Sequence, residues 1–326
     1  MHAVSHTAVD AARPAPLAGR PLLKWAGGKR QLLHAIRTLY PVRFDRYIEP
    51  FFGSGAVFFD LVALGRLRGR RVRLADVNPD LVGCYTMLRD RTDAVIAALE
   101  ELAARHREEG EPFFYEVRDR RFNPGRAAAA GYTPELAAML IYLNRTGFNG
   151  LFRLNRRGEF NVPAGRYENP RICDPAHLRQ VAEALRQPGI LIELAPFEAS
   201  LRDAGAGDFV YCDPPYAPVS RTANFASYTA EGFGPSDQRR LQAAVVAAAV
   251  RGAAVVVSNS SAPVIEALYT EPAARSAGLR VERVPARRAI NSRAASRGPV
   301  DELLITNVNR RAALGIRPRM ARAALG

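Results

Sequence analysis

Between Arg46 and Leu64 the chain passes from a short apolar run, Arg46-Tyr-Ile-Glu49, through Pro50-Phe-Phe-Gly53-Ser-Gly55, into apolar residues at helical spacing from Ala56 to Leu64. A strand, a glycine turn and a helix in that order constrain the fold strongly, because a right-handed crossover must return the chain to a parallel neighbour. Val72-Arg-Leu-Ala-Asp76 reads as that neighbour, and Asn78-Pro79 opens a helix reaching about Leu88. The alternation predicts an open parallel sheet with helices on both faces. It resumes later with strands at Ile190–Leu194, Asp208–Cys212 and Ala253–Ser258, a helix from about Ser236 to Arg251, and a closing strand at Glu302–Thr306. Ahead of it, Arg30 to Leu39 carries helical spacing that stops at Pro41.

From about Asp90 to Gln187 the pattern changes. Arg89–His106 and Pro134–Leu143 read as helices separated by a polar, Ala-rich stretch, and the chain then becomes rich in Asn, Arg and Gly from Asn144 to Tyr167. Two short apolar segments about Arg156-Arg157-Gly158 predict a β-hairpin there. The expected organisation is a disordered tail (1–20), a catalytic domain formed by 21–88 and 188–309, an inserted domain over 89–187 and a basic tail (310–326).

The formal net charge is +14 and the sequence pI about 10.4. Such a balance favours polyanionic partners, through release of condensed counterions. From Glu271 onward the chain holds 12 Arg against four acids, so the excess is concentrated there. No stretch of about 18 uncharged apolar residues suggests a membrane span, and the first twenty residues lack the apolar core of a signal peptide. Three scattered cysteines, Cys84, Cys173 and Cys212, argue against a disulfide framework or a zinc site and fit a reducing cytoplasm.

In Phe52-Gly53-Ser54-Gly55 the glycines let the backbone bend sharply and approach a ligand. Asp76 ends the next predicted strand, at the carboxyl edge where such an acid accepts bonds from ribose hydroxyls. Position 58, where a dinucleotide fingerprint has its third glycine, is Phe58, which favours an adenosyl ligand over a pyrophosphate. Trp25-Ala-Gly-Gly-Lys29 resembles a phosphate loop only superficially, because Leu23 and Arg30 stand where Gly and Ser or Thr are required. An adenine-stacking or nucleotide-contacting loop is one reading of Trp25; core filler is the other.

The decisive feature is Tyr211-Cys-Asp213-Pro214-Pro215-Tyr216. Two prolines stiffen the turn after a strand and remove two backbone donors. A carboxylate, a free carbonyl and an aromatic ring are thereby clustered. An aromatic amino group is a poor nucleophile because its lone pair is delocalised. If Asp213 and the Pro214 carbonyl accept its hydrogens, the lone pair becomes available to a sulfonium methyl, and Tyr216 can stack on the base. Cys212 alternates away from this cluster and is expected to be a buried, inert thiol.

These residues resemble the Dam-type, α-group adenine-N6 DNA methyltransferases of bacteria and phages, from roughly Pro21 to Asn307. Leu23-Lys-Trp-Ala-Gly-Gly-Lys29, Glu49-Pro-Phe-Phe-Gly-Ser-Gly55, Asp76-Val-Asn78, Asn144–Tyr167 and Asp213-Pro-Pro-Tyr216 carry the resemblance. It implies a Rossmann-like class I methyltransferase sheet, with an inserted, mainly helical target-recognition domain carrying a β-hairpin. It implies that S-adenosylmethionine is the methyl donor, with no metal, and that Trp25, Lys29, Phe52, Gly53, Gly55, Asp76 and Asp213 hold it. It implies that the hairpin reads double-stranded DNA: Lys24 and Arg153 for the guanines of GATC, Leu151 and Pro163 for apolar base contacts, Phe148 as a wedge beside the target, with Asn149 next to it. Adenine must be flipped out of the duplex before transfer. Ala164 and the residues after Ser258-Asn259 depart from the family pattern, and 125–131 and the basic tail have no counterpart in it.

Three readings follow. The first is methylation of adenine N6 in duplex DNA, as a housekeeping, phage or restriction-modification enzyme with no obligatory protein partner. The second keeps the site but acts on cytosine N4 or on RNA. The third is a DNA-binding protein that has lost catalysis.

Overall fold

The computed structural model describes residues 20–25, 29, 32–218, 233–287 and 299–309. Both expected tails, apart from residue 20, and residues 26–28 of the Trp25–Lys29 loop lie outside them. A short helix α1 (Leu33–Arg37) precedes strand β1 (Arg46–Glu49), α2 (Ala56–Ala63), β2 (Arg71–Asp76) and α3 (Pro79–Asp90). The middle of the chain is helical: α4 (Thr92–Glu109), α5 (Glu111–Glu116), a π-helical turn (Val117–Phe122), α6 (Asn123–Ala128), α7 (Pro134–Thr146) and α8 (Pro175–Leu185). Then follow β3 (Ile190–Leu194), α9 (Phe197–Leu201), β4 (Asp208–Cys212), α10 (Pro235–Val250), β5 (Ala254–Ser260), α11 (Pro263–Tyr269), α12 (Pro272–Ser276), β6 (Arg280–Arg287) and β7 (Pro299–Thr306).

The seven strands form one sheet in the order β3-β2-β1-β4-β5-β7-β6. The first five are parallel, while β7 runs antiparallel to β5 and β6. The Rossmann-like α/β expectation holds, and β6 is a strand the sequence reading lacked. The order reverses between β1 and β4: the chain builds outward to β3, returns, and builds the other way. Ligands bind at such a switch point, beyond the carboxyl ends of the strands.

Central strand β4 is buried at every residue. Its alternation divides the core, Phe209 and Tyr211 joining the cluster on one face and Val210 and Cys212 the cluster on the other. Cys212 thus points away from Asp213 as expected, and burial pushes its thiol far above the ordinary range. Residues from 89–187 share a continuous core with α2, α3 and β2, through Val95, Leu99, Leu140 and Leu143 among others.

Side-chain caps with a proline at the helix start recur. Asn78 accepts from Asp80 and Leu81 N–H before α3, Thr133 from Leu136 before α7, and Asp174 from His177 before α8. Each satisfies an orphan amide where proline has none to lose. Helix α7 continues to Thr146, so Asn144 belongs to the helix and not to the hairpin. The hairpin itself is irregular: its strand character is confined to isolated antiparallel bridges, Gly147 with Ala164 and Leu154 with Phe160. Its tip closes where the Asn155 side chain accepts the N–H groups of Arg157 and Glu159.

What holds this hairpin in place is side-chain bonding. Asn123 both donates to and accepts from the Phe160 backbone, at 3.0 and 2.8 Å. Arg118 donates to the Val162 carbonyl at 3.0 Å, and Arg126 donates to the Gly158 carbonyl while forming a fork with the buried Asp80. No helix among the described residues is long and apolar enough to cross a membrane.

Candidate active site

The turn after β1 and the turn after β4 are brought side by side by parallel pairing of Ile48 with Val210. Gly53 and Gly55 both take positive φ, 48° and 68°. A Cβ on Gly55 would stand 2.5 Å from the Phe52 ring, so no other residue fits without displacing it. Asp76, at the end of β2, fixes this turn: Oδ2 accepts the Gly53 N–H and Oδ1 the Asn78 N–H, both at 2.9 Å. Trp25 lies over Gly53, where an added Cβ would sit 3.3 Å from its indole ring. The Phe52 side chain turns the other way, into the core against Tyr85 and Phe58.

Asp213 follows β4 directly. Its Oδ1 accepts from Lys29 Nζ at 2.7 Å and from Ser258 Oγ at 2.9 Å. No described residue donates to Oδ2. Lys29 is 4% exposed and also sits over one face of the Tyr216 ring, 4.5 Å from its centre. Lys29 thus covers one face of that ring only. The Tyr216 hydroxyl donates to Glu302 on β7 at 2.5 Å.

Burial pushes the Asp213 carboxyl above the ordinary carboxylate range, and the Lys29 charge and the Ser258 hydrogen bond pull it back. The pH dependence follows in sign. If Asp213 has to act in its ionised form, that form is present above its pKa, and any activity that depends on it is lost as pH falls through that raised value. Removing Lys29 removes the strongest opposing influence, and Lys29→Gln is expected to move the acid limb of the single-turnover rate to higher pH. An unmoved limb would show that Asp213 is not the titrating group.

A third carboxyl, missed as a site residue in the sequence, stands at the end of β1. Glu49 is 2% exposed and accepts from Tyr47 Oη at 2.8 Å. Burial raises its pKa well above the usual range; the Tyr47 bond opposes this, while the neighbouring Asp213 and Asp76 charges add to it. Three carboxyl groups and one lysine therefore line a half-buried edge in a chain that is otherwise strongly basic. That donor set suits a ligand that brings positive charge of its own.

The second group of expected residues lies on the hairpin and meets the first through residues 24 and 25. Asn144, 2% exposed, accepts from Lys24 N–H and donates to the Lys24 and Gly150 carbonyls, at 2.8, 2.8 and 2.9 Å. Trp25 stacks on Phe152 with ring centres 5.5 Å apart. Phe148 is 48% exposed at a tight turn in which Asn149 holds a positive φ of 54°, a conformation asparagine tolerates better than most residues. Arg153 and Pro163 are exposed and Leu151 is half-buried. Arg153 is braced across the hairpin, Nε to Asn161 Oδ1 at 2.8 Å and one terminal nitrogen to the Asn161 carbonyl at 3.2 Å. Lys24 lies over the Tyr167 ring and, with Arg145, Arg166 and Arg171, lines a cleft of about 510 Å³.

A family model described as D12 class N6 adenine-specific DNA methyltransferase matches residues 25–285, which include both turns and the hairpin. The chain belongs to this family. It is 37% identical over 288 residues to a type II methyltransferase of Lactococcus lactis subsp. cremoris, covering 88% of this chain and 95% of the relative. A type II methyltransferase of Methanocaldococcus jannaschii is 38% identical over 299 residues (88% and 99%). A DNA adenine methylase of Escherichia coli K12 is 36% identical over 285 residues (87% and 94%).

In this D12 methyltransferase the sequence reading missed Glu49 and Asn144 as part of the site. The signal for Asn144 was present: a lone amide at the end of an apolar helical run, Ala137 to Leu143. A polar group buried at such a position must find partners, and its partners are the segments that carry the site.

Proposed function

We propose that this chain transfers a methyl group from S-adenosylmethionine to the N6 amino group of adenine in double-stranded DNA, within GATC. The observation that carries the chemistry is Asp213: one oxygen is tied to Lys29 and Ser258, while the other is left to the cleft by the described residues. The acidic edge fits the donor, since a sulfonium and an ammonium would neutralise carboxyl groups that burial and mutual repulsion disfavour. Trp25, Lys29, Gly53, Gly55 and Asp76 would hold the donor, with the backbone of Phe52 shaping the turn. The Asp76 carboxylate, with backbone donors from Gly53, Asn78 and Val77, has acceptor capacity left for a ribose hydroxyl. When bound, the donor supplies an electrophilic methyl group on a positively charged sulfur.

The residues of the chain do the rest by positioning. Asp213 Oδ2 and the Pro214 carbonyl accept the two N6 hydrogens, which localises the nitrogen lone pair. Tyr216 stacks the flipped base on the ring face opposite Lys29. The amine forms its new bond to carbon as the carbon–sulfur bond breaks toward sulfur. It then releases a proton to Asp213 or to solvent.

Residues 89–187, with the hairpin, act as the DNA-reading part. Arg153 uses Nε and one hydrogen of a terminal nitrogen on Asn161, which leaves the end of its fork for guanine O6 and N7. Lys24 serves the other guanine, Leu151 and Pro163 make the apolar contacts, and Phe148 with Asn149 enters beside the target. Tritium transfer from labelled S-adenosylmethionine to a duplex with one GATC tests the whole reading, and nucleoside analysis of the product separates adenine N6 from cytosine N4. Transfer that persists with every GATC changed removes the site assignment. Arg153→Ala is expected to cost about tenfold or more at one guanine position only, the size of a bidentate contact. A uniform loss over all sequences would make Arg153 a phosphate contact instead.

A further inference from the structure

Every residue from Asp213 to Ala217 except Pro214 is held by a side chain from β5, α10 or β7, all of them buried except the half-buried Glu302. Ser258 holds the Asp213 carboxylate and Glu302 the Tyr216 hydroxyl. Ser260 Oγ donates to the Ala217 carbonyl at 2.6 Å. The remaining contacts form one connected chain. Asn259 Oδ1 accepts the N–H groups of Ala217 and Ser260 at 3.3 and 2.8 Å, and Asn259 Nδ2 donates to Gln238 Oε1 at 3.0 Å. Gln238 Nε2 then donates to the Pro215 carbonyl at 2.9 Å. Asn259 is fully buried and Gln238 nearly so.

The chain has one consistent orientation. With Asn259 Oδ1 taken by two backbone donors, its amide nitrogen must face Gln238. Gln238 must then present its own nitrogen to Pro215. Proline fixes φ at both 214 and 215, so the loop's freedom lies mainly in ψ at those positions. A donor on the Pro215 carbonyl fixes the Pro215–Tyr216 peptide plane, and with it the direction in which the Tyr216 ring leaves the backbone. Among the described residues nothing donates to the Pro214 carbonyl.

We infer that Asn259 and Gln238 are positioning residues: a two-amide relay that commits the Pro215 carbonyl to the protein, leaving the Pro214 carbonyl and Asp213 Oδ2 as the acceptors for the target amino group. This rests on the function proposed above. Neither residue touches the reacting atoms; both act on the geometry of those that do.

Gln238→Met keeps length and removes the hydrogen bonds. Asn259→Asp is isosteric and keeps the acceptor for Ala217 N–H, but it cannot donate to Gln238, whose amide must then reverse and set its oxygen against the Pro215 carbonyl. Both variants are expected to lower the single-turnover methyl-transfer rate about 30-fold, the scale of a small misplacement of reacting groups. Rates are counted per S-adenosylmethionine-binding site, so that unfolded protein does not contribute. Affinities for the donor and for GATC duplex are expected to stay within about threefold.

A purely structural role predicts instead that Asn259→Asp is much milder than Gln238→Met, and that outcome overturns the relay. So does transfer within threefold of wild type in both variants, or a loss found entirely in donor affinity. Hydrogen exchange of the Tyr216 and Ala217 amides, measured without substrate, is expected to be faster in Gln238→Met than in wild type. Inactive wild-type protein would sink the proposed function, and the exchange comparison still decides the relay: equal exchange in the two proteins overturns it.

Discussion

Asp213→Asn is expected to lower the single-turnover methyl-transfer rate by about three orders of magnitude while GATC duplex binding stays measurable. One preorganised polar group aimed at a reacting atom is worth roughly 10²–10³ in rate. Here the substitution also removes a negative charge beside the amine, and with it one of the two proton acceptors proposed above, which adds to the loss. Asn is the better probe than Ala, because it preserves an oxygen for Ser258 and for Lys29. Asp213→Ala leaves the nearly buried Lys29 without this partner, a defect worth about 3–5 kcal/mol in its own right. Its effect therefore mixes chemistry with damage to the pocket. Rapid-quench transfer from tritiated S-adenosylmethionine, paired with fluorescence anisotropy on duplex, separates the two. Retention of more than a tenth of the wild-type rate in Asp213→Asn would remove the carboxylate from the mechanism.

The parts legible in the sequence share one property: their meaning is local. Asp213-Pro-Pro-Tyr216 packs acceptor, rigid turn and ring into four consecutive residues, and the glycine turn with its strand and helix spans fewer than twenty. The same holds for α3, whose Asn78-Pro79 start is a cap followed by a proline. Asp174-Pro175 carries the same signal before α8. It was submerged in a region read as an insert, although α8 is the helix that leads directly into β3.

The region from Glu111 to Ala128 was harder for a physical reason. It falls in the polar, Ala-rich stretch to which no element was assigned, yet the π-helical turn places Pro124 at the start of α6, where a missing N–H costs little. Strand β6 was hidden by its composition. Arg280-Val-Glu-Arg-Val-Pro-Ala-Arg287 holds four charges and a proline, which suit an edge strand paired, among the described residues, with β7 alone. Ser258-Asn259 was legible as part of the family pattern, but what these groups hold in the 213–217 loop was not. Ser258 and Glu302 stand 45 and 86 residues from their partners, and only the strand order brings them together.

Asn144→Ala is expected to be the most damaging single change between the two halves of the site. Its side chain makes three hydrogen bonds from a buried position, one accepted and two donated, to the backbones of Lys24 and Gly150. Alanine leaves an N–H and two carbonyls to be rehydrated or left unpaired. At roughly 1 kcal/mol per lost bond, with a larger penalty for any group that stays dry, the loss is about 3 kcal/mol of stability. Ordinary surface substitutions stay within about 0.5 kcal/mol, so the two are readily told apart by urea denaturation. Asn144→Asp is no rescue. It keeps the acceptor for Lys24 N–H but sets a carboxylate against two carbonyl oxygens.

The functional consequence is the sharper test, because Asn144 bonds directly to the segment that carries both Lys24 and Trp25. Lys24 leads toward the hairpin and its basic cleft; Trp25 covers the glycine turn. Loosening their shared backbone should weaken donor and duplex binding together, each by about fivefold or more if roughly 1 kcal/mol of preorganisation is lost. Calorimetry with S-adenosylmethionine alone, and then with duplex alone, reads the two affinities separately. A destabilised protein that keeps both affinities would make Asn144 a packing residue only. A loss confined to one ligand would mean that Lys24 and Trp25 are positioned independently.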